Sequence, residues 1–176
     1  MTSSIIFSAI DVALWFAEQA RKEDMYLQPQ KLQRILYIAY GSYAAMHHGR
    51  KLMPATFIVD DTGPIEPNVY RMLELGAPKG DRPPLPPEVE HFLSNIWRKY
   101  CHHNTEYLNE QIQNHKIYRE AIKRGVNEEI PHRVIARFFT GQDQKKLEKT
   151  VTAPDGRKLA KWLPGAKAAA KPTNRK

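Results

Sequence analysis

The side chains able to do chemistry are few and sit in short clusters. His47-His48 and Cys101-His102-His103 are of metal-ligand type, but adjacent residues on a helix point about 100° apart and do not converge on one ion. Cys-x-x-Cys and His-Glu-x-x-His spacings are absent, so no metal is expected. Asp60-Asp61 could serve as an acid–base pair only if both faced one substrate, and neighbours on an extended segment face opposite ways. Gly-rich phosphate loops, Gly-x-Ser-x-Gly elbows and Cys/His pairs of recognised spacing do not occur. These residues therefore point to a binding protein that needs no cofactor, and not to an enzyme.

Aromatic residues offer more. Tyr37, Tyr40 and Tyr43 recur at three-residue steps, and three hydroxyls in a dry core would need partners. They read either as packing at the edge of a bundle or as a face for a partner, since aromatic residues dominate interface hot spots. Further on, Leu159, Trp162 and Leu163 stand at helical spacing among Arg157, Lys158 and Lys161. That cluster either folds back onto the bundle or lays an apolar face into another protein's groove.

Helices must position most of these groups. Ser3 and Ser4 are candidate caps for a first helix whose stripe is Ile5, Ala9, Val12, Phe16 and Ala20. Pro29 opens a second, with Leu32, Ile35, Leu36, Ala39, Tyr43 and Met46 as its stripe, Lys31 and Arg34 beside it, and Gly49 as a left-handed residue after its end. Residues 51–66 change character: Ala55 to Val59 is β-branched and aromatic, and Asp60 to Pro64 is a turn cluster, so a small β-hairpin or extended element is expected there. Gly63 and Pro64 hold that turn. Pro67 opens a short helix through Tyr70, closed near Gly76. Pro87 begins a long one carrying Val89, Phe92, Leu93, Ile96, Trp97 and Tyr100; further helices carry Tyr107, Leu108 and Ile112, then Ile117, Tyr118 and Ala121, and Pro131 begins the last, with Val134, Ile135, Phe138 and Phe139. The expectation is a mainly α, single-domain helical bundle over residues 1–142, followed by a basic Lys/Ala/Pro-rich tail, 143–176.

Charge divides along the same line. The net charge is +8 over 176 residues. Residues 144–176 hold ten Lys or Arg against two acids, whereas 1–143 hold 17 of each. Such a tail can neutralise phosphates without reading sequence, but a neutral folded part argues against a nucleic-acid reader built on it. The one cysteine permits no intrachain disulfide. The stretch from Met1 to Phe16 lacks leading Lys or Arg and is interrupted by Asp11, unlike a secretory signal. No apolar window is long enough to span a bilayer, so a cytoplasmic protein without membrane contact is expected.

The segment from Leu27 to Leu73 resembles the Panacea antitoxin domain, also called the SocA-like domain. The likeness rests on Lys31-Leu32-Gln33, Ile35-Leu36-Tyr37, Tyr40, Gly49, Leu52, Gly63-Pro64-Ile65, Pro67 and Val69-Tyr70, in that order and spacing. Ile130-Pro131 through Phe139 is similar to the family's closing helix. The resemblance implies a bacterial antitoxin that neutralises a co-encoded protein toxin by direct contact. In one branch it implies an adaptor delivering that toxin to the ClpXP protease. Tyr37, Tyr40, Tyr43, Tyr70 and Trp162 are then the candidate partner-binding residues, and Gly49, Gly63, Pro64 and Pro67 the structural ones. The rival is a basic helical regulator that binds DNA or RNA.

Overall fold

A computed structural model of the chain describes residues 5–76, 82–147, 151–152 and 158–159. Among them are seven helices and a small three-stranded antiparallel sheet, a mainly α fold. The chain divides into two compact units, Met1–Thr140 and Gly141–Lys176.

In the first unit, α1 (Ala9–Lys22) starts one turn later than the sequence suggests. Ser8 is its cap, accepting a hydrogen bond from the Ile10 amide at 3.1 Å. Ile5 and Ile6 lie ahead of it and donate backbone hydrogen bonds to Lys51 and Leu52. Ser3 and Ser4 lie outside the described residues. The stripe of α1, including Val12, Phe16 and Ala20, is buried as its spacing requires.

The second helix, α2 (Pro29–Met46), is the axis of the fold. Every residue from Lys31 to Gly41 is buried, so the helix is enclosed on all sides and is not amphipathic. Lys31 and Arg34, expected at the edge of a stripe, are inside with the rest. The composition explains part of this: Leu32, Ile35, Leu36, Ile38 and Tyr40 cover somewhat more than half of the helix circumference, and the remaining arc is closed by Gln33, Arg34 and Tyr37, which are buried as well. Truncating a side chain such as Leu36 in this setting costs about 2 to 5 kcal/mol. Past the end of α2, Gly49 takes φ +81° and its amide donates to Ala44 O at 2.7 Å, closing the helix as expected.

The hairpin falls where the β-branched run predicts. β1 (Phe57–Asp60) pairs with β2 (Gly63–Ile65) in the register Ile58↔Ile65, Val59↔Pro64 and Asp60↔Gly63, around Asp61-Thr62. Pro64 is tolerated because β2 is an edge strand. The two-residue β3 (Glu129–Ile130) pairs with the other side of β1.

Proline and acceptor caps open the remaining helices. α3 (Pro67–Leu75) is capped by Glu66, which accepts from the Val69 amide at 2.8 Å; α4 (Pro87–Tyr100) begins on Pro87; α5 (Thr105–Gln113) is capped by Asn104. α6 (Lys116–Arg124) and α7 (His132–Leu147) follow. Leu32, Ile35, Leu36, Phe92, Ile96, Trp97 and Ile135 share one core, with Phe138 partly buried against it. In the second unit, β4 (Val151–Thr152) pairs antiparallel with β5 (Lys158–Leu159). No helix among the described residues is long and apolar enough to cross a membrane.

Candidate binding site

The helix motif and the turn motif, some thirty residues apart in sequence, meet in space through two polar side chains of α2. The Gln33 amide pairs with the backbone of Glu66 in both senses: its Nε2 donates to Glu66 O at 3.2 Å and its Oε1 accepts from Glu66 N at 2.8 Å. Arg34 reaches three elements at once. Its Nε donates to Asn109 Oδ1 on α5 (2.7 Å), Nη1 to Pro64 O on β2 (2.8 Å) and Nη2 to Thr62 Oγ1 in the turn (2.8 Å). Thr62 Oγ1 also accepts from Gln30 Nε2 at 2.9 Å and donates to Asp60 Oδ2 at 3.4 Å, bridging guanidinium and carboxylate.

This arrangement explains Gly63. Its φ is +151°, and a Cβ there would lie 2.5 Å from Arg34 Nε. Only glycine lets the strand lie against the guanidinium. Among the described residues Arg34 has no carboxylate within salt-bridge distance. Burial lowers its pKa to about 10, with Asp60 acting in the opposite sense, so it stays cationic at neutral pH.

Beside this network opens a pocket of about 300 Å³. Gln33 and Arg34 form its buried side, Pro29, Ile65 and Leu73 supply apolar wall, and Gln30, Tyr70 and Glu74 stand at its exposed side. Tyr70 is 47% exposed. The Glu74 carboxylate next to its hydroxyl, with Asp60 adding to the effect, raises the Tyr70 phenol above its ordinary value. Of the sequence-predicted residues, Tyr70, Gly63, Pro64 and Pro67 thus belong to one locality, built by Gln33 of the motif together with Arg34 and Glu66, which the motif reading did not single out.

The tyrosines of α2 are a correction. Tyr37, Tyr40 and Tyr43 are 0%, 1% and 3% exposed and present no face to a partner. They pack edge-on and tilted against Phe57, Phe92 and Phe139. Their hydroxyls lie inside as well: among the described residues Tyr37 Oη and Tyr40 Oη are buried without a hydrogen-bond partner, as are His115 Nδ1 and His132 Nδ1 nearby. Trp162 lies outside the described residues.

His47 stacks on Tyr43 at 4.0 Å and His103 on Tyr107 at 4.2 Å. Cys101 is buried, and its carbonyl accepts from Lys31 Nζ at 2.6 Å. Among the described residues no group of three or more His, Cys, Asp or Glu is placed to hold a metal ion. Asp60 turns toward the pocket while Asp61 is exposed in the turn. Compared with models of protein families, with curated proteins and with solved structures, the chain matches none.

Proposed function

We propose that this chain is a bacterial antitoxin that neutralises a co-encoded protein toxin by direct contact, through the face formed by the β1–β2 hairpin and α3. One observation carries the reading. The two segments that resemble the Panacea domain are halves of a single construction, in which Gln33 and Arg34 fasten Glu66 and Pro64. Gln33 of the motif and Arg34 beside it, which the motif does not include, hold the hairpin and α3 in place, and what they leave accessible is Tyr70, Leu73 and a pocket. A fixed backbone presenting an aromatic residue beside a cleft suits protein recognition, because little conformational freedom is lost on binding. Protease delivery would add a second contact. The candidate is the basic segment 143–176 with Trp162, since two linked weak contacts raise effective concentration. The cytoplasm, where a toxin and ClpXP would be met, is the compartment proposed.

Co-expression with the neighbouring reading frame tests this. The full chain should restore growth to cells making that product and co-purify with it. A chain ending at Gln142 should still bind the product but lose ClpXP-dependent degradation if delivery is the mechanism, and should keep full rescue if masking is. Loss of binding with the tail would contradict placement on the hairpin–α3 face. Retention of DNA by the full chain alone, falling steeply with salt, would favour the nucleic-acid regulator instead.

A further inference from the structure

We infer that the pocket between α2, the hairpin and α3 receives one cationic side chain, Arg or Lys, from a protein partner, its stem along Ile65 and Leu73 and its head between Asp60 and Glu74. The proposal rests on the reading of this face as the binding face and specifies the chemistry of what enters it. Size sets the first limit: about 300 Å³ is the small end of ligand pockets, which run from about 300 to 1,000 Å³. That is room for a side chain and not for a folded element.

Charge sets the second. One cation and two carboxylates line the pocket. The cation, Arg34, is committed to Pro64, Thr62 and Asn109 and faces Asp60 through the Thr62 hydroxyl. An incoming anion would have to compete with those acceptors and approach both Asp60 and Glu74. An incoming cation meets the reverse. Among the described residues the Asp60 carboxylate accepts a long bond from Thr62, and Glu74 is engaged at the exposed rim, by Arg71 at 3.4 Å and by the Tyr70 hydroxyl beside it. The raised Tyr70 phenol reports the same negative field from Glu74 and Asp60. The third limit is shape and surface. A long side chain with an apolar stem and a charged head matches apolar walls ending in carboxylates, and the exposed Tyr70 ring adds a face that attracts a guanidinium.

Small probes test the pocket without the partner. In amide NMR spectra of the full chain at low salt, n-butylguanidinium should shift signals from residues 30, 60–65 and 70–74. n-Butanol should shift them less and butyrate least. The double variant Asp60→Asn/Glu74→Gln should weaken the butylguanidinium response at least fivefold, with its dispersed spectrum confirming the fold. No response to butylguanidinium, or a stronger one to butyrate, overturns the proposal. The same double variant, tested for co-purification with the neighbouring gene product, addresses the parent reading separately: binding unchanged there, with the probe response lost, would show a cation-binding pocket lying away from the toxin interface and overturn its assignment to the partner.

Discussion

The two halves of α2 are equally buried and are built on opposite terms. In the N-terminal half, Gln33 and Arg34 place polar atoms in the interior and partner them with Glu66, Pro64, Thr62 and Asn109. In the C-terminal half, Tyr37 and Tyr40 place hydroxyls in the interior and leave them without partners, among Phe57, Phe139, His115 and His132. Gly41 lies in the same half, and the Phe139 ring packs so closely over it that a Cβ would collide. Hydrogen bonds have direction, so the first half fixes where the hairpin and α3 stand. Aromatic packing tolerates small adjustments, so the second half supplies burial without setting an angle. The pocket lies beside the half that fixes geometry.

Breaking the first half should have the largest effect. Arg34→Leu removes three donors from groups that fold around them and leaves the Pro64 carbonyl buried and unpaired. A loss of about 3 to 5 kcal/mol is expected from the chemical-denaturation midpoint. Arg34→Lys should recover little of it, because one ammonium cannot reach three acceptors that a planar fork spans. A loss under 1 kcal/mol for Arg34→Leu would mean that the network does not hold the hairpin.

The second half should show itself through pH. Burial holds the His115 imidazole at about 4, against 6.5 when exposed, so the folded state resists a proton that the unfolded state takes up. Stability is therefore full above pH 6.5 and falls as pH drops toward 4, by about 3 kcal/mol at the low end. His115→Phe should flatten that part of the stability profile. An unchanged slope in the variant would place the titration elsewhere.

The smallest effect sharpens the contrast most. Tyr37→Phe deletes a hydroxyl that has no partner, so stability should stay level or rise slightly, by up to about 1 kcal/mol. A loss above about 1 kcal/mol would show that the hydroxyl is satisfied, for instance by a buried water.

How far the sequence could be read follows from the same contrast. Helix starts marked by Pro29, Pro67 and Pro87 are local signals, and each helix begins on its proline. The hairpin is legible from the β-branched run before Gly63-Pro64. β3 is two residues long and exists only because β1 offers an edge, so no pattern within it could announce it. Periodicity weighs apolar residues alone, and it set Lys31 and Arg34 at the margin of a stripe. The available clue was that apolar residues cover more than half of the circumference of α2, which leaves the polar residues between them little outward room. The tyrosines erred in the opposite sense: their hydroxyls suggested a surface, whereas the ring area won the interior at the cost of two unpaired groups. Of the pocket, Tyr70 was legible through the turn motif. Its link to Gln33 and Arg34 depends on contacts thirty residues apart, which spacing does not encode.

The claim that the pocket face, and not the tyrosine seam, carries recognition is tested most directly by titration calorimetry of the neighbouring gene product against the wild type, Tyr70→Ala and Tyr37→Phe. Tyr70 is exposed, so its loss should leave the fold intact and weaken binding by about tenfold or more, as for an aromatic anchor, while Tyr37→Phe binds as the wild type does. Wild-type affinity in Tyr70→Ala, or a loss confined to Tyr37→Phe, would contradict the account.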